Sequence, residues 1–360
     1  MTQDTQTSSC PLPQDRNVPE PPAGAGFPPG PPWFGSVMGT AITSGLLEIH
    51  GVPLVPTILL AVTWVLLVFL TIAFLARGIK NPAVFTNSIR TNAQAAAWGL
   101  VPIGYLATGS STAVVLSSLN PDLTDLAWRI DTVMRVIGTA LGLFATVGFS
   151  AKLMKGHCDH ALPTWGLPII APMAAATTGA QLLPHLASTM NQVLVGVIAA
   201  GSFFIALSLG LSVFSVTYTA EWSKKSLPLA AAASSFIPLG IVGQSTAAAQ
   251  SLAKTAGHYL TPEAEHAVLT IGHAYGVVLM SLGIPIGLWA ARTTYRGLIA
   301  HMPFSPGWWA IVFPVGTTSL GAYLLGWHTT SLWLTVLLAI HWAIAGAGSL
   351  VYVARSRKTD

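Results

Sequence analysis

From Trp33 to Val353 the chain is a succession of apolar stretches separated by short polar gaps. Each is about 18 to 25 residues long, the length a helix needs to cross the hydrocarbon of a bilayer. They fall at 33–50, 53–76, 95–118, 126–149, 164–183, 190–217, 227–252, 266–291, 306–326 and 331–353. Inside a membrane every backbone N–H and C=O must find a partner within the protein, which for separate stretches of this length means helices. Only 8% of the residues are charged, against roughly a quarter in a soluble domain. The fold class expected is therefore all-α integral membrane, with ten transmembrane helices.

Loop charge gives an orientation. Taking every second gap from the N-terminus collects Arg16, then Arg77, Lys80 and Arg90, then Lys152 and Lys155, then Lys224 and Lys225, then Arg292 and Arg296, and finally Arg355, Arg357 and Lys358. These are thirteen of the sixteen basic residues. The opposite side has Lys254 and Arg129, and Arg135 lies within the fourth stretch. Basic loops stay in the cytoplasm, so both termini are expected there, as an even number of spans requires. Residues 1–32, rich in Pro and Gly, read as a disordered cytoplasmic tail. Residues 33–353 form the membrane domain, and 354–360 a short basic cytoplasmic tail.

A second regularity lies inside the odd-numbered stretches. The first carries Gly39-Thr40, and the third Pro102 followed by Thr108 to Thr112. The fifth has Pro168 and Pro172 before Thr177-Thr178-Gly179, the seventh Pro238 before Gly243-Gln244-Ser245-Thr246, and the ninth Pro314 before Thr317-Thr318. Thr40, Ser110, Thr178, Thr246 and Thr317 are spaced by 70, 68, 68 and 71 residues. A unit of two helices thus repeats five times in one orientation, giving five parallel helical hairpins around a central pore. The expected pore lining is Gly39, Thr40, Thr108, Ser110, Thr177, Thr178, Gln244, Ser245, Thr246, Thr317 and Thr318, because hydroxyls can replace part of an ion's hydration shell. Pro102, Pro172, Pro238 and Pro314 are the expected helix kinks. Taken singly, each cluster is also what helix packing uses.

Other polar groups are few. Asp131 and Arg135, four apart on one helix face, are expected to pair, with Arg129 a second partner for the carboxylate. The pair is either an anion or proton relay or a lock between helices. His185, His273 and His341 stand alone in or near spans, and His273 is the deepest candidate for a proton site. The run Gly156-His157-Cys158-Asp159-His160 has ligand residue types but no second cluster, so no metal site is expected. Cys10 and Cys158 make no disulfide framework. No catalytic nucleophile–base set and no phosphate-binding glycine loop is present, so neither an enzyme, a cofactor nor direct ATP drive is expected. The net charge of +4 is spread over many loops and does not suggest nucleic acid.

Two motifs, Pro32-Trp33-Phe34-Gly35-Ser36-Val37-Met38-Gly39-Thr40 and Trp308-Trp309-Ala310-Ile311-Val312-Phe313-Pro314, resemble the tellurite-resistance/dicarboxylate transporter (TDT) family. That family includes slow anion channels, malate permeases and sulfite efflux pumps, and the likeness runs over about 31 to 353. The resemblance implies a homotrimer in the plasma membrane, a pore within each protomer, and a phenylalanine on the ninth helix that plugs it. Phe313 is the match for that gate. Pro238-Leu239-Gly240-Ile241-Val242-Gly243-Gln244-Ser245, Pro168 to Met173 and Phe313-Pro314-Val315-Gly316 look more like the sulfite-pump branch, while Thr40-Ala41 departs from the family's usual Thr-Gly. The expected function is transport of small inorganic or organic anions, with sulfite efflux favoured. A proton-coupled C4-dicarboxylate (malate) carrier and a passive anion channel are the alternatives.

Overall fold

The computed structural model describes residues 28–155, 161–223, 227–257 and 259–356, and its regular structure is helical. In chain order the helices are α1 Phe34–Ile49, α2 Val55–Lys80, α3 Ala83–Asn87, α4 Asn92–Ala97, α5 Leu100–Leu119, α6 Thr124–Met154, α7 Leu167–Leu182, α8 Thr189–Ser223, α9 Ile237–Gly257, α10 Pro262–Ile299, α11 Phe313–Leu324 and α12 His328–Ser356. Short α3 and α4 fill the gap between the second and third apolar stretches. The other ten helices coincide with the ten stretches, but only eight helical segments among the described residues are long and apolar enough to cross a membrane. The two that fall short are α1, with 16 residues, and α11, with 12.

Both short helices end in the same way. Gly51 (φ 72°) and Gly326 (φ 83°) follow them in the left-handed conformation. The next residue's N–H closes back onto the helix, Val52 to the carbonyl of Leu47 and Trp327 to that of Ala322. Such a turn stops a helix cleanly, and glycine adopts it without a Cβ penalty.

Packing sorts these ten helices into two layers. α1 packs on α5, α5 on α7, α7 on α9, α9 on α11, and α11 back on α1, closing a five-membered ring. The partners α2, α6, α8, α10 and α12 each pack against the ring helix that precedes them in the chain. Burial follows: 94% of the apolar window of Pro163–His185 is inside the protein, against 22% for Pro262–Ile299. The outer helices turn residues such as Val65, Phe69, Phe144, Ile271 and Leu288 outward, which suits a surface solvated by lipid rather than water.

The ring is tight because small residues face each other across it. A Cβ on Gly243 of α9 would lie 2.2 Å from the backbone nitrogen of Thr318 on α11, so any side chain there forces the two helices apart. The outer helices exceed the expected boundaries. α10 runs for 38 residues where 266–291 was expected, about 57 Å against a hydrocarbon core of about 30 Å. Its excess turns carry Glu263, Glu265, Arg292 and Arg296, which end the hydropathy signal without ending the helix.

Every ring helix begins with a separate lead-in. Pro31–Trp33, Pro163–Gly166, Leu229–Phe236 and Pro306–Ile311 are 3-10 turns before α1, α7, α9 and α11, and α4 plays this part for α5. The expected kinks are corrected accordingly. Pro102, Pro238 and Pro314 stand in the first turn of α5, α9 and α11, where the missing N–H would have had no helical partner. Only Pro172 of the four lies inside its helix. Of the expected N-terminal tail, residues 1–27 lie outside the described residues, and Pro29 is held by Arg77, whose Nη1 donates to its carbonyl at 2.6 Å. α12 continues through Ser356, into the segment expected as a tail.

Candidate functional site

The first α-helical residues of the five ring helices are Phe34, Leu100, Leu167, Ile237 and Phe313. All five belong to one buried apolar cluster, together with Met38, Ile103, Ile170 and Ala310. Each ring helix thus contributes the large side chain of its first residue to one apolar cluster, the collar. Phe313 is 4% exposed within it.

A cavity opens on each side of this collar. Toward the C-terminal ends of the ring helices it has a volume of about 690 Å³ and is lined from α1, α5, α7, α9 and α11. Toward their N-terminal ends a smaller one of about 250 Å³ is lined by the lead-in segments. Ile103 and Phe313 reach the larger cavity, while Met38, Leu100, Leu167, Ile237 and Ala310 line the smaller. Members of the same buried cluster thus line both cavities, which have no described lining residue in common.

The expected polar lining divides. Ser110, Thr177, Thr178 and Gln244 line the larger cavity. The others face helix contacts instead. Gly39 is covered by Trp309 and Val312. Thr40 donates to the carbonyl of Ser36 and accepts from the indole of Trp342 on α12 at 3.0 Å. Thr108 donates to Gly104, Ser245 and Thr246 to Val242, and Thr317 and Thr318 to Pro314, all backbone carbonyls. A threonine that bonds back along its own helix satisfies a hydroxyl that lipid and apolar side chains cannot.

Even in the cavity, the Thr178 proton goes to the carbonyl of Ala174, and Gln244 donates to Thr177 at 2.8 Å. Besides Ser110, donors there come from residues the sequence reading did not select, among them Gln181, Ser251, Lys254, Tyr323 and His328. Helical spacing could have found the first, since Gln181 is one turn beyond Thr177 on the same face. Lys254 follows the polar face of α9 marked by Gln244, Ser251 and Thr255, and Thr255 donates to the carbonyl of Ala180 at 3.1 Å. That bond brings the Lys254 turn beside Gln181. No ion pair involves Lys254 among the described residues.

Asp131 and Arg135 do pair, Nη2 to Oδ2, on the buried face of α6 toward α5. They are 1% and 5% exposed. Arg129 is exposed and takes no part, because it lies half a turn round the helix from Asp131. His273 is exposed on α10, outside the ring and away from both cavities. His185 stacks on Trp128 at 3.6 Å, and His341 is fully buried. The run 156–160 lies outside the described residues, and no group of three potential metal ligands occurs among those described.

Comparison with known proteins agrees with a transport chain. The chain is 24% identical over 316 residues to the sulfite efflux pump SSU1 of Trichophyton rubrum, covering 83% of this chain and 82% of that one. It is 23% identical over 301 residues to the uncharacterized transporter MJ0762 of Methanocaldococcus jannaschii, covering 81% and 83%. The family model for SLAC1, voltage-dependent anion channel, matches residues 29–354, nearly the whole of the described helical body. The chain belongs to the SLAC1 family of anion channels and transporters.

Proposed function

We propose that this protein moves small anions through the axis of its five ring helices, with sulfite as the favoured substrate and efflux as its direction. The observation that carries this is the apolar collar with Phe313 in it, standing between two cavities on the axis of a closed ring. In this reading all ten ring and outer helices form the transmembrane domain, α1 and α11 completing their spans with their lead-in turns. Ring helix and outer partner then form five parallel hairpins. Both termini lie in the cytoplasm of a multi-pass plasma-membrane protein that assembles as a homotrimer, and the basic loops gather anions at the smaller cavity.

On the other side, Lys254 with Gln181 and Ser110 receives the anion. One fixed charge and a few neutral donors give weak binding, so ions are sorted by size and ease of dehydration. That suits a conductor of simple oxyanions. A proton-coupled malate carrier would need a titrating group on the path; His273 faces away from it, His328 lines the larger cavity, and the pH-gradient arm of the test below separates the two readings.

The test is flux into proteoliposomes of the purified protein, comparing sulfite, malate, chloride and nitrate with and without a pH gradient. Sulfite flux without need of the gradient is expected; malate uptake that requires the gradient, with no sulfite flux, would overturn the proposal. Lys254→Glu is expected to slow sulfite flux several-fold at low ionic strength, with the deficit shrinking as salt screens the charge. An equal rate at every salt concentration would remove Lys254 from the path.

A further inference from the structure

His341 stands on α12, outside the ring, yet no part of it is exposed. Its Nδ1 lies 2.8 Å from the carbonyl oxygen of Ile311, and its Nε2 2.7 Å from the hydroxyl of Tyr295 on α10. A carbonyl can only accept, so Nδ1 carries the hydrogen; in the neutral ring Nε2 then accepts from the tyrosine. Phe236 packs edge-to-face with the imidazole, ring centres 5.5 Å apart. The histidine is therefore held at both nitrogens and has one orientation.

What it holds is the lead-in to Phe313. Ile311 is the last residue of the 3-10 turn Pro306–Ile311, and Val312 (φ −91°, ψ −67°) is the joint before α11 starts at Phe313. A backbone movement that takes Phe313 out of the collar turns about this joint, since α11 beyond it is regular helix and α9 touches its backbone at Gly243. The carbonyl that His341 grips is one peptide away from the joint. α12 grips the same turn a second time, where the indole of Trp309 donates to Ser349 at 3.1 Å.

We infer that His341, backed by Tyr295, is a positioning residue that latches the Pro306–Ile311 turn and so keeps Phe313 in the collar. The inference rests on the plug role proposed for Phe313. It adds a route by which the outer helices α10 and α12 act on the axis: a shift between them breaks the Tyr295–His341–Ile311 chain and frees the joint.

The experiment measures passive anion leak in proteoliposomes, with melting temperature read in parallel, for His341→Ala, His341→Asn, Tyr295→Phe, Phe313→Ala and the Phe313→Ala/His341→Ala double variant. Asparagine carries an amide N–H near the Nδ1 position, so it retains the bond to Ile311 and loses only that to Tyr295. His341→Ala is expected to raise the leak roughly tenfold, the scale of losing one or two buried hydrogen bonds that favour one conformer. His341→Asn should return it to within about twofold of the wild type, and the double variant should leak no more than Phe313→Ala. A tight His341→Ala beside a leaky Phe313→Ala overturns the latch alone. A Phe313→Ala as tight as the wild type removes the plug and the latch with it. Equal leak from the Ala and Asn variants at equal melting temperature also refutes the latch, as does additivity in the double variant. Tyr295→Phe, which also keeps the bond to Ile311, should stay within about twofold of the wild type; if His341→Ala does not fold, His341→Leu, which fills the site without a donor for Ile311, decides, a leak above wild type supporting the latch and a tight vesicle refuting it.

Discussion

Phe313→Ala raises the passive anion conductance of the reconstituted protein by about tenfold or more, since each ~1.4 kcal/mol taken from a barrier is a factor of ten. The direction follows from what the ring obstructs. Phe313 and its neighbours in the collar offer an anion neither donor nor charge, and an ion stripped of water against apolar walls faces a steep cost. Removing the phenyl joins a cavity of about 690 Å³ to one of about 250 Å³, letting water and ions pass together. A buried Phe→Ala change costs about 3–5 kcal/mol where the void stays dry. Here the void opens onto cavities that water can fill, so the loss of stability falls below that range. Single-channel or vesicle leak measurements check it, and a correctly folded variant with unchanged or lower conductance takes Phe313 out of the mechanism.

The remaining collar members should respond in a graded way. Phe34, Leu100, Leu167 and Ile237 belong to the same apolar cluster, but each also supports its own helix against a neighbour, so truncation there mixes leak with unfolding. Phe313 separates the two effects best because it alone of the five faces the larger cavity.

The apolar stretches made the helices legible, because lipid imposes one length and one backbone solution on all of them. The near-regular spacing from Thr40 to Thr317 singled out the stretches of α1, α5, α7, α9 and α11, and these five helices pack on one another in turn. Three things stayed hidden. The collar stayed hidden because Leu100, Leu167 and Ile237 look like any other apolar residues until the fold packs them into one cluster. The commitment of hydroxyls stayed hidden because Thr40 and Thr178 have the same chemistry in sequence, and only the third dimension puts one against Trp342 and the other in a cavity. The true extent of α10 stayed hidden because hydropathy reports where lipid ends, whereas its helix continues through Arg296 into water. The prolines misled in a related way. A proline followed by small residues signals a break in the α-helix, but here most of the breaks precede the proline rather than follow it.

Arg135→Ala should cost about 3–5 kcal/mol of stability, the usual penalty for leaving a buried charge without its partner. Asp131 sits against Gly109 of α5, where a Cβ would come within 2.8 Å of its Oδ1. Without the guanidinium the carboxylate loses its hydrogen-bonded partner and keeps only the electrostatic influence of His185, and Oδ1 already lacks a hydrogen bond. The pair itself is not strongly stabilising, because Nε and Nη1 of Arg135 are also buried and unsatisfied. Taking both charges out of water offsets most of their attraction. The double change Asp131→Ala/Arg135→Met removes both charges together, and it is expected to recover to within about 1 kcal/mol of the wild type. Sulfite flux per folded protein should then match the wild type, because α6 lies outside the ring and its pair fixes α6 against α5 without entering the path. Melting curves and flux on the two variants separate the alternatives. A double variant as stable as the wild type but slow in flux would make the pair part of conduction, and the lock would have to be abandoned.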